Sequence, residues 1–404
     1  MIQKRNYPFD FQQKTSFYKI WKTILLLYQY LFCVYLWQKY SNFTTYTNML
    51  LQERKESFII LGKFLKQFAT LPFQIDKSLP NINIDFEHFK EVLKTAEQQN
   101  GWFTADNLQY ACQCWSEVLQ AKNIEKWLEP YHFEAVSAKN IAIIMAGNIP
   151  LVGFHDFLSV LISGHRAVVK LSSDDKVLLP FLAKYLTQIN PKWESFFEFT
   201  NERITHFDAV IATGSNNTAR YFEYYFCKKP HIIRKNRNSV AVLSGKETPE
   251  QLHALGKDIF QYFGLGCRSV SKIYVPDNYN FDLFFNAIFP YQDIIHIEKY
   301  ANNYDYNKAV YLMSLFKLKE NGFLILKEDS NYGSPIATLF YEYYSDYESL
   351  RNHLKTDNEK IQCVVSQGFY DEEVPFGKTQ QPQLWEYADG VDTVLFLTNL
   401  SKKT

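Results

Sequence analysis

Asn140-Ile-Ala-Ile-Ile-Met-Ala-Gly-Asn-Ile-Pro150 runs from a continuous apolar stretch into a Gly-Asn turn closed by proline. An unbroken run of Ile and Ala suits a strand buried on both faces, as in a parallel sheet. Gly147 and Pro150 end it. Working outward, the pattern repeats. Val152–Ser163 reads as a helix stopped by Gly164, and Ala167–Leu171 as the next strand. Asp174–Thr187 reads as a helix, and Phe207–Thr213 as a third strand. Gly214-Ser215 and a helix from Asn217 to Cys227 follow, then a fourth strand, Asn238–Leu243. This alternation predicts a doubly wound α/β domain.

A helix over Pro249–Phe263 leads to a second α/β unit. It holds a strand at Ile273–Val275, a helix at Phe281–Ile288 and further apolar runs at Phe323–Leu326, Ile336–Tyr343 and Ile361–Val365. The late run Val391–Leu397 reads as a strand that needs a sheet to join, such as another subunit's. Upstream, Asn81–Tyr131 reads as helices. Phe89, Val92 and Leu93 make one apolar stripe, and Leu108, Ala111, Trp115, Val118 and Leu119 another. The divisions expected are 1–48, 49–130, 131–243, 244–375 and 376–404.

Residues 1–48 have a different texture. Thr23–Gln38 is an uncharged run of 16 residues, short of the ~20 that span a bilayer. Lysines precede it, and no small-residue cleavage site follows. From Met49, apolar Phe58, Leu61, Leu65 and Phe68 fall at helical spacing up to Pro72. The reading is that the native protein begins at Met49, with a membrane anchor over 1–48 as the rival.

Lys+Arg and Asp+Glu both number 43 in the 404 residues, so no basic field points to nucleic acid. Cysteines at 33, 112, 114, 227, 267 and 363 fit reduced thiols and a cytoplasmic setting, and their spacing forms no zinc motif. There is no Gly-x-Gly-x-x-Gly between strand and helix, no Walker A loop and no Gly-x-Ser-x-Gly. Ligands of open α/β sheets bind beyond the carboxyl ends of the strands. Asn148, Lys170 and Gly214-Ser215 stand at such ends. Cys267 follows a Gly264-Leu-Gly turn, and is either a nucleophile presented on that turn or a small buried core residue. His155 and His165 read as structural histidines.

The order and spacing of these residues resemble the aldehyde dehydrogenase superfamily. The carriers are Ala146-Gly-Asn148-Ile-Pro150, Val169-Lys170, Ala212-Thr-Gly214-Ser215, and Cys267 with Lys272 and Val275 downstream, over about residues 130 to 345. The resemblance implies an aldehyde dehydrogenase-like α/β fold. Residues 131–243 would bind a nicotinamide cofactor, 244–375 would carry the catalytic cysteine, and 376–404 would hold an oligomerisation strand of a homo-oligomer. It implies Cys267 as nucleophile, with a lowered thiol pKa from Arg268 or a helix start, and Asn148 in the oxyanion site. Lys170, Ser173, Gly214 and Ser215 would bind the cofactor. Ser173, where NAD-specific relatives often carry Glu, leaves room for the 2′-phosphate of NADPH, with NADH the alternative.

The chain departs from that pattern at Arg234, which falls where hydrolytic members carry a water-activating Glu. A guanidinium is no general base. It reads either as a solvated strand-edge charge or as a phosphate ligand. Asn331 likewise replaces a later Glu. The Arg234–Ser239 segment, Gly264-Leu-Gly-Cys-Arg-Ser269 and Tyr387-Ala-Asp-Gly-Val-Asp-Thr393 resemble the LuxC family of acyl-CoA reductases. That resemblance implies reduction of an acyl-CoA or acyl-carrier thioester to an aldehyde. The alternatives are a CoA-acylating dehydrogenase running the other way and a non-catalytic binding protein.

Overall fold

The structure, a computed structural model, describes residues 49–79, 82–133 and 137–400. The readings made for 1–48 lie outside them. Four helices come first: α1 (Leu51–Lys66), α2 (Ile82–Gln99), α3 (Ala105–Val118) and α4 (Ala121–Leu128). The positions expected from helical spacing, Phe58, Leu61, Leu65 and Phe68, are all fully buried. Then strands and helices alternate: β1 (Asn140–Ile144), α5 (Phe154–Ile162), β2 (Arg166–Lys170), α6 (Leu178–Ile189), β3 (Phe197–Phe199), β4 (Ala209–Thr213), α7 (Asn216–Phe226) and β5 (His231–Arg234). Their sheet has the order β3-β2-β1-β4-β5 and every pairing is parallel. Ile141, Ala142 and Ile143 are buried, as a strand covered on both faces requires.

The rest builds a second sheet from β6 (Asn238–Val242), α8 (Pro249–Phe260), β7 (Val270–Pro276), α9 (Phe281–Ile288), α10 (Glu298–Met313), β8 (Leu318–Glu320), β9 (Ile325–Glu328), β10 (Thr338–Tyr344), α11 (Tyr347–Thr356) and β11 (Ile361–Val365). Its order is β11-β6-β7-β10-β9-β8, parallel except at β8–β9. The fourth strand expected in the first sheet, Asn238–Val242, therefore pairs in the second. The short β5 takes its place beside β4. Periodicity identifies a strand but not its neighbours.

Thr393–Leu400 is a helix, α12, where a sheet-joining strand was expected. Asp392 explains the difference. Its Oδ1 accepts the Leu395 N–H at 2.8 Å, an N-cap contact that starts a helix. Val394 and Leu397 are fully buried, and α12 packs on α5. Helix α5 is itself buried almost all round, held by the first sheet, α1 and α12. Its carboxyl end closes as a Schellman motif: Gly164 N–H donates to Leu161 O at 3.0 Å and His165 N–H to Val160 O at 3.2 Å. Gly164 has φ +80°, a conformation that glycine adopts without strain.

Candidate active site

A cavity of about 570 Å³ is lined by the loops after β1, β4 and β5, the turn before β7, one face of α3 and the segment 380–389. Asn148, Gly214, Ser215 and Cys267 all line it. Lys170 and Ser173 stand outside that lining. Lys170 ends β2 opposite Ile144, and Ser173 lies exposed on the loop that follows.

The Cys267 turn is held from several sides. Ser239 Oγ donates to the Cys267 carbonyl at 3.0 Å, Arg268 Nε to Thr379 O at 2.6 Å, and Gln380 Nε2 to Ser269 Oγ at 3.1 Å. The Cys267 backbone N–H makes no hydrogen bond among the described residues. Asn148 Nδ2 donates to Leu265 O at 2.7 Å, which ties the β1 loop to this turn. An amide has two N–H groups, so one remains for a ligand.

The thiol itself differs from expectation. Burial pushes the Cys267 thiol up to about 11, Arg268 and Arg234 draw it down, and Asp389 and Cys363 raise it further. Arg268 acts in the expected direction, but desolvation outweighs it. Alkylation of Cys267 in the ligand-free protein is accordingly expected to rise about tenfold per pH unit, with no plateau below about pH 10. Iodoacetamide trapping followed by peptide mass analysis measures this. A plateau near pH 7 would contradict it.

Arg234 occupies neither of the roles expected of it. It is 5% exposed and pairs with Asp156 of α5, Nε to Oδ2 at 3.1 Å and Nη2 to Oδ1 at 2.7 Å. It also donates to Ala388 O at 2.6 Å and to Thr393 Oγ1 at 2.9 Å. Burial opposes the charge of Asp156, but Arg234 holds its carboxyl below the usual range. The guanidinium thus joins β5, α5 and the C-terminal segment, and is not free to grip a phosphate. Asn331, at the later Glu position, is exposed and bonds to Asp329. Lys272 is buried against Glu342, a structural pair.

Beyond β1 and β4 the backbone comes close to its neighbours. A Cβ on Gly147 would lie 2.7 Å from Ser172 Cβ, and one on Gly214 would lie 3.0 Å from Thr218 Cβ. Ser215 caps α7, accepting the Thr218 N–H at 3.3 Å. Ser173 Oγ donates to Asp174 Oδ1 at 3.1 Å, and Asp174 lines the cavity. Both histidines bond to backbone groups, and His155 also lines the cavity. His165 Nδ1 accepts the Lys139 N–H at 3.2 Å, so its Nε2 donates to Leu397 O at 3.0 Å. His155 Nε2 donates to Leu384 O at 2.8 Å. Burial lowers the pKa of each.

Sequence reading missed three contributors. Asp156 looks like any first-turn acid of a helix. Asp389-Gly390 has the form of a turn signal and was read only as part of a family ending. One face of α3, with Ala111, Cys114, Trp115 and Val118, walls the cavity. Ala111, Trp115 and Val118 belong to the apolar stripe read from the sequence, and Cys114 does not. Among the described residues no cluster could hold a metal ion, and no helix is long and apolar enough to cross a membrane.

Solved structures similar to this fold include aldehyde dehydrogenases. Aldehyde dehydrogenase 21 of Physcomitrella patens, in complex with succinate, is 13% identical, with a TM-score of 0.57 over 80% of this chain and 73% of that one. An indole-3-acetaldehyde dehydrogenase in complex with NAD+ is 12% identical, with a TM-score of 0.56 over 83% and 74%. The putative aldehyde dehydrogenase PutA of Anabaena variabilis is 14% identical, with a TM-score of 0.55 over 80% and 79%. At such identities the likeness concerns the fold. No curated protein matches the sequence. The sequence model of the acyl-CoA reductase (LuxC) family matches residues 85–288, which take in Asn148, Gly214, Ser215 and the Cys267 turn. The chain belongs to the acyl-CoA reductase (LuxC) family, oxidoreductases on the fold of the aldehyde dehydrogenases.

Proposed function

We propose that the chain reduces an acyl-CoA, or an acyl group on a carrier, to an aldehyde by way of an acyl-enzyme on Cys267. The observation that carries this reading is the single cavity lined by Cys267 and Asn148, with a backbone N–H and an amide N–H left open beside the thiol. The Cys267 sulfur attacks the thioester carbon. The Asn148 amide and the Cys267 N–H hold the oxygen as it gains charge. The carbonyl re-forms, CoA thiol leaves, and the acyl group stays on sulfur. A reduced nicotinamide supplies hydride when bound. Asn148 and the Cys267 N–H hold the oxygen again as the thiohemiacetal forms on Cys267, and its collapse releases the aldehyde. Arg234, engaged by Asp156, offers no base for water, which favours reduction over hydrolysis.

The loops after β1 and β4 fit a nicotinamide cofactor. Gly147 and Gly214 let these loops pack tightly on Ser172 and Thr218, and Ser215 at the start of α7 suits a phosphate. Lys170 would reach the ribose or its phosphate. Ser173 in place of Glu favours NADPH. Asp174, beside Ser173, favours NADH instead, since its carboxylate would repel a 2′-phosphate. NADPH is expected to bind more tightly, and Ser173→Glu to reverse the order. Fluorescence titration with both cofactors tests this, and tighter NADH binding by the unmodified protein would reject the Ser173 reading. Acyl-CoAs of graded length, with absorbance loss at each cofactor, test the activity itself. Without cofactor, acyl-CoA is expected to release about one CoA thiol per site in a burst, then little. Rapid continuous release would contradict the reductive reading.

A further inference from the structure

Three consecutive residues just before the Cys267 turn have left-handed backbones: Tyr262 at φ +54°, Phe263 at +58° and Gly264 at +77°. Glycine adopts such angles freely, but Tyr and Phe are strained there and persist only where their surroundings hold them. Both are buried, and Phe263 packs on Trp102 with ring centroids 5.2 Å apart. Asn148 and Cys267 both depend on the far end of this arc. Leu265, next after Gly264, gives its carbonyl to Asn148, and Cys267 stands two residues further on.

One buried carboxylate secures the arc. Asp258, in the last turn of α8 and 1% exposed, stands just before it. Its Oδ2 accepts the Gly377 N–H at 2.6 Å, and its Oδ1 accepts the Thr379 N–H at 3.0 Å and the Thr379 hydroxyl at 2.9 Å. The same strap then reaches past the arc, where Thr379 O receives Arg268 Nε and Gln380 bonds Ser269. Residues 377–380 thus join the chain before the strained arc to the chain after the thiol. Gly377 permits this wrap: its φ is +80°, and a Cβ there would lie 3.2 Å from Ala254 Cβ. Burial pushes the Asp258 carboxyl up to about 6 and the donors of the strap draw it down, so it is ionised at about pH 7.5.

We propose that Asp258 is a positioning residue for the thiol. Through residues 377–380 it clamps the strained arc, and so sets where Cys267 and the Asn148 amide stand in the cavity. It touches no substrate and takes no proton. The effect on the reaction rests on the acyl-enzyme reading above, whereas the effect on the thiol is measurable without it.

Asp258→Asn opens the clamp with almost no change of size, because the amide nitrogen presents donors to a donor. At about pH 7.5, CoA release in the first turnover is expected to fall about 30-fold, with cofactor affinity within about twofold of the unmodified protein. Iodoacetamide alkylation of Cys267 should quicken about tenfold as the turn leaves its burial, while buried Cys112 on α3 stays protected. Arg268→Lys, which loses the bond to Thr379, should also slow release. The double variant should lose no more than the worse single one, since either change opens the same clamp. Losses that multiply would overturn the proposal, as would release and alkylation both within about threefold of the unmodified protein. If Cys112 opens together with Cys267, Asp258→Asn is unfolding and Thr379→Val decides. Removing that one donor is expected to slow release about fivefold and to quicken Cys267 alone, and no change in either overturns the proposal. If the unmodified protein releases no stoichiometric CoA, the acyl-enzyme reading falls. The alkylation of Cys267 against Cys112 in these variants then upholds or overturns the clamp by itself.

Discussion

Cys267→Ala is expected to bind nicotinamide cofactor as before and to lose on the order of 10⁴-fold or more of its reductase activity. The thiol lines the cavity beside Asn148, and the loops proposed to hold the cofactor come from other strands. Removing the sulfur therefore takes away the proposed acyl acceptor and leaves the first sheet intact. Incubation with radiolabelled acyl-CoA, followed by denaturing electrophoresis, should show label on the unmodified protein and none on the variant. Cys227→Ser, at the exposed end of α7, should keep the label and the activity. Retained acylation in Cys267→Ala would move the nucleophile elsewhere.

Replacing Arg234 is expected to lower stability by about 3–5 kcal/mol, because it strands the Asp156 carboxylate in the interior. Arg234→Glu should be worse than Arg234→Met, since it sets a second carboxylate against the first. Placing a Glu where hydrolytic relatives have one is therefore expected to yield an unstable protein and no hydrolase. Asp156→Leu combined with Arg234→Met should lose less than either single change, as no buried charge is then left alone. Urea midpoints of the four proteins decide this. Equal, additive losses would mean that the pair is not coupled, and a stable, hydrolytic Arg234→Glu would show that the guanidinium was dispensable.

The strands β1, β2 and β4 were legible because parallel strands covered on both faces need unbroken apolar runs. The residues after them, Asn148 and Gly214-Ser215, were legible because ligands gather at strand ends. Strand β5, His-Ile-Ile-Arg, has only two apolar residues between a histidine and an arginine, so no apolar run marks it. Thr393–Leu400 is short and apolar, a pattern shared by strand and buried helix, and only the Asp392 cap separates them. The role of Arg234 could not be read because its partner lies 78 residues away on another element. Residue type and spacing identified Cys267 but not its proton affinity, which depends on a burial that only packing creates.

The segment after residue 376 completes the pocket: Thr379 and Gln380 hold the Cys267 turn, Ala388 receives Arg234, and Asp389 faces the thiol's cavity. During translation Cys267 is made about 120 residues before Asp389, or roughly 10 s at ordinary synthesis rates. In that interval both sheets can form while the thiol lacks its last wall. Ribosome-bound chains stalled before residue 376 are thus expected to take up no acyl label, and chains released after α12 to take it up at once. If Cys267 takes up acyl groups as proposed, the order of synthesis acts as a safety catch that keeps half-made chains from consuming them.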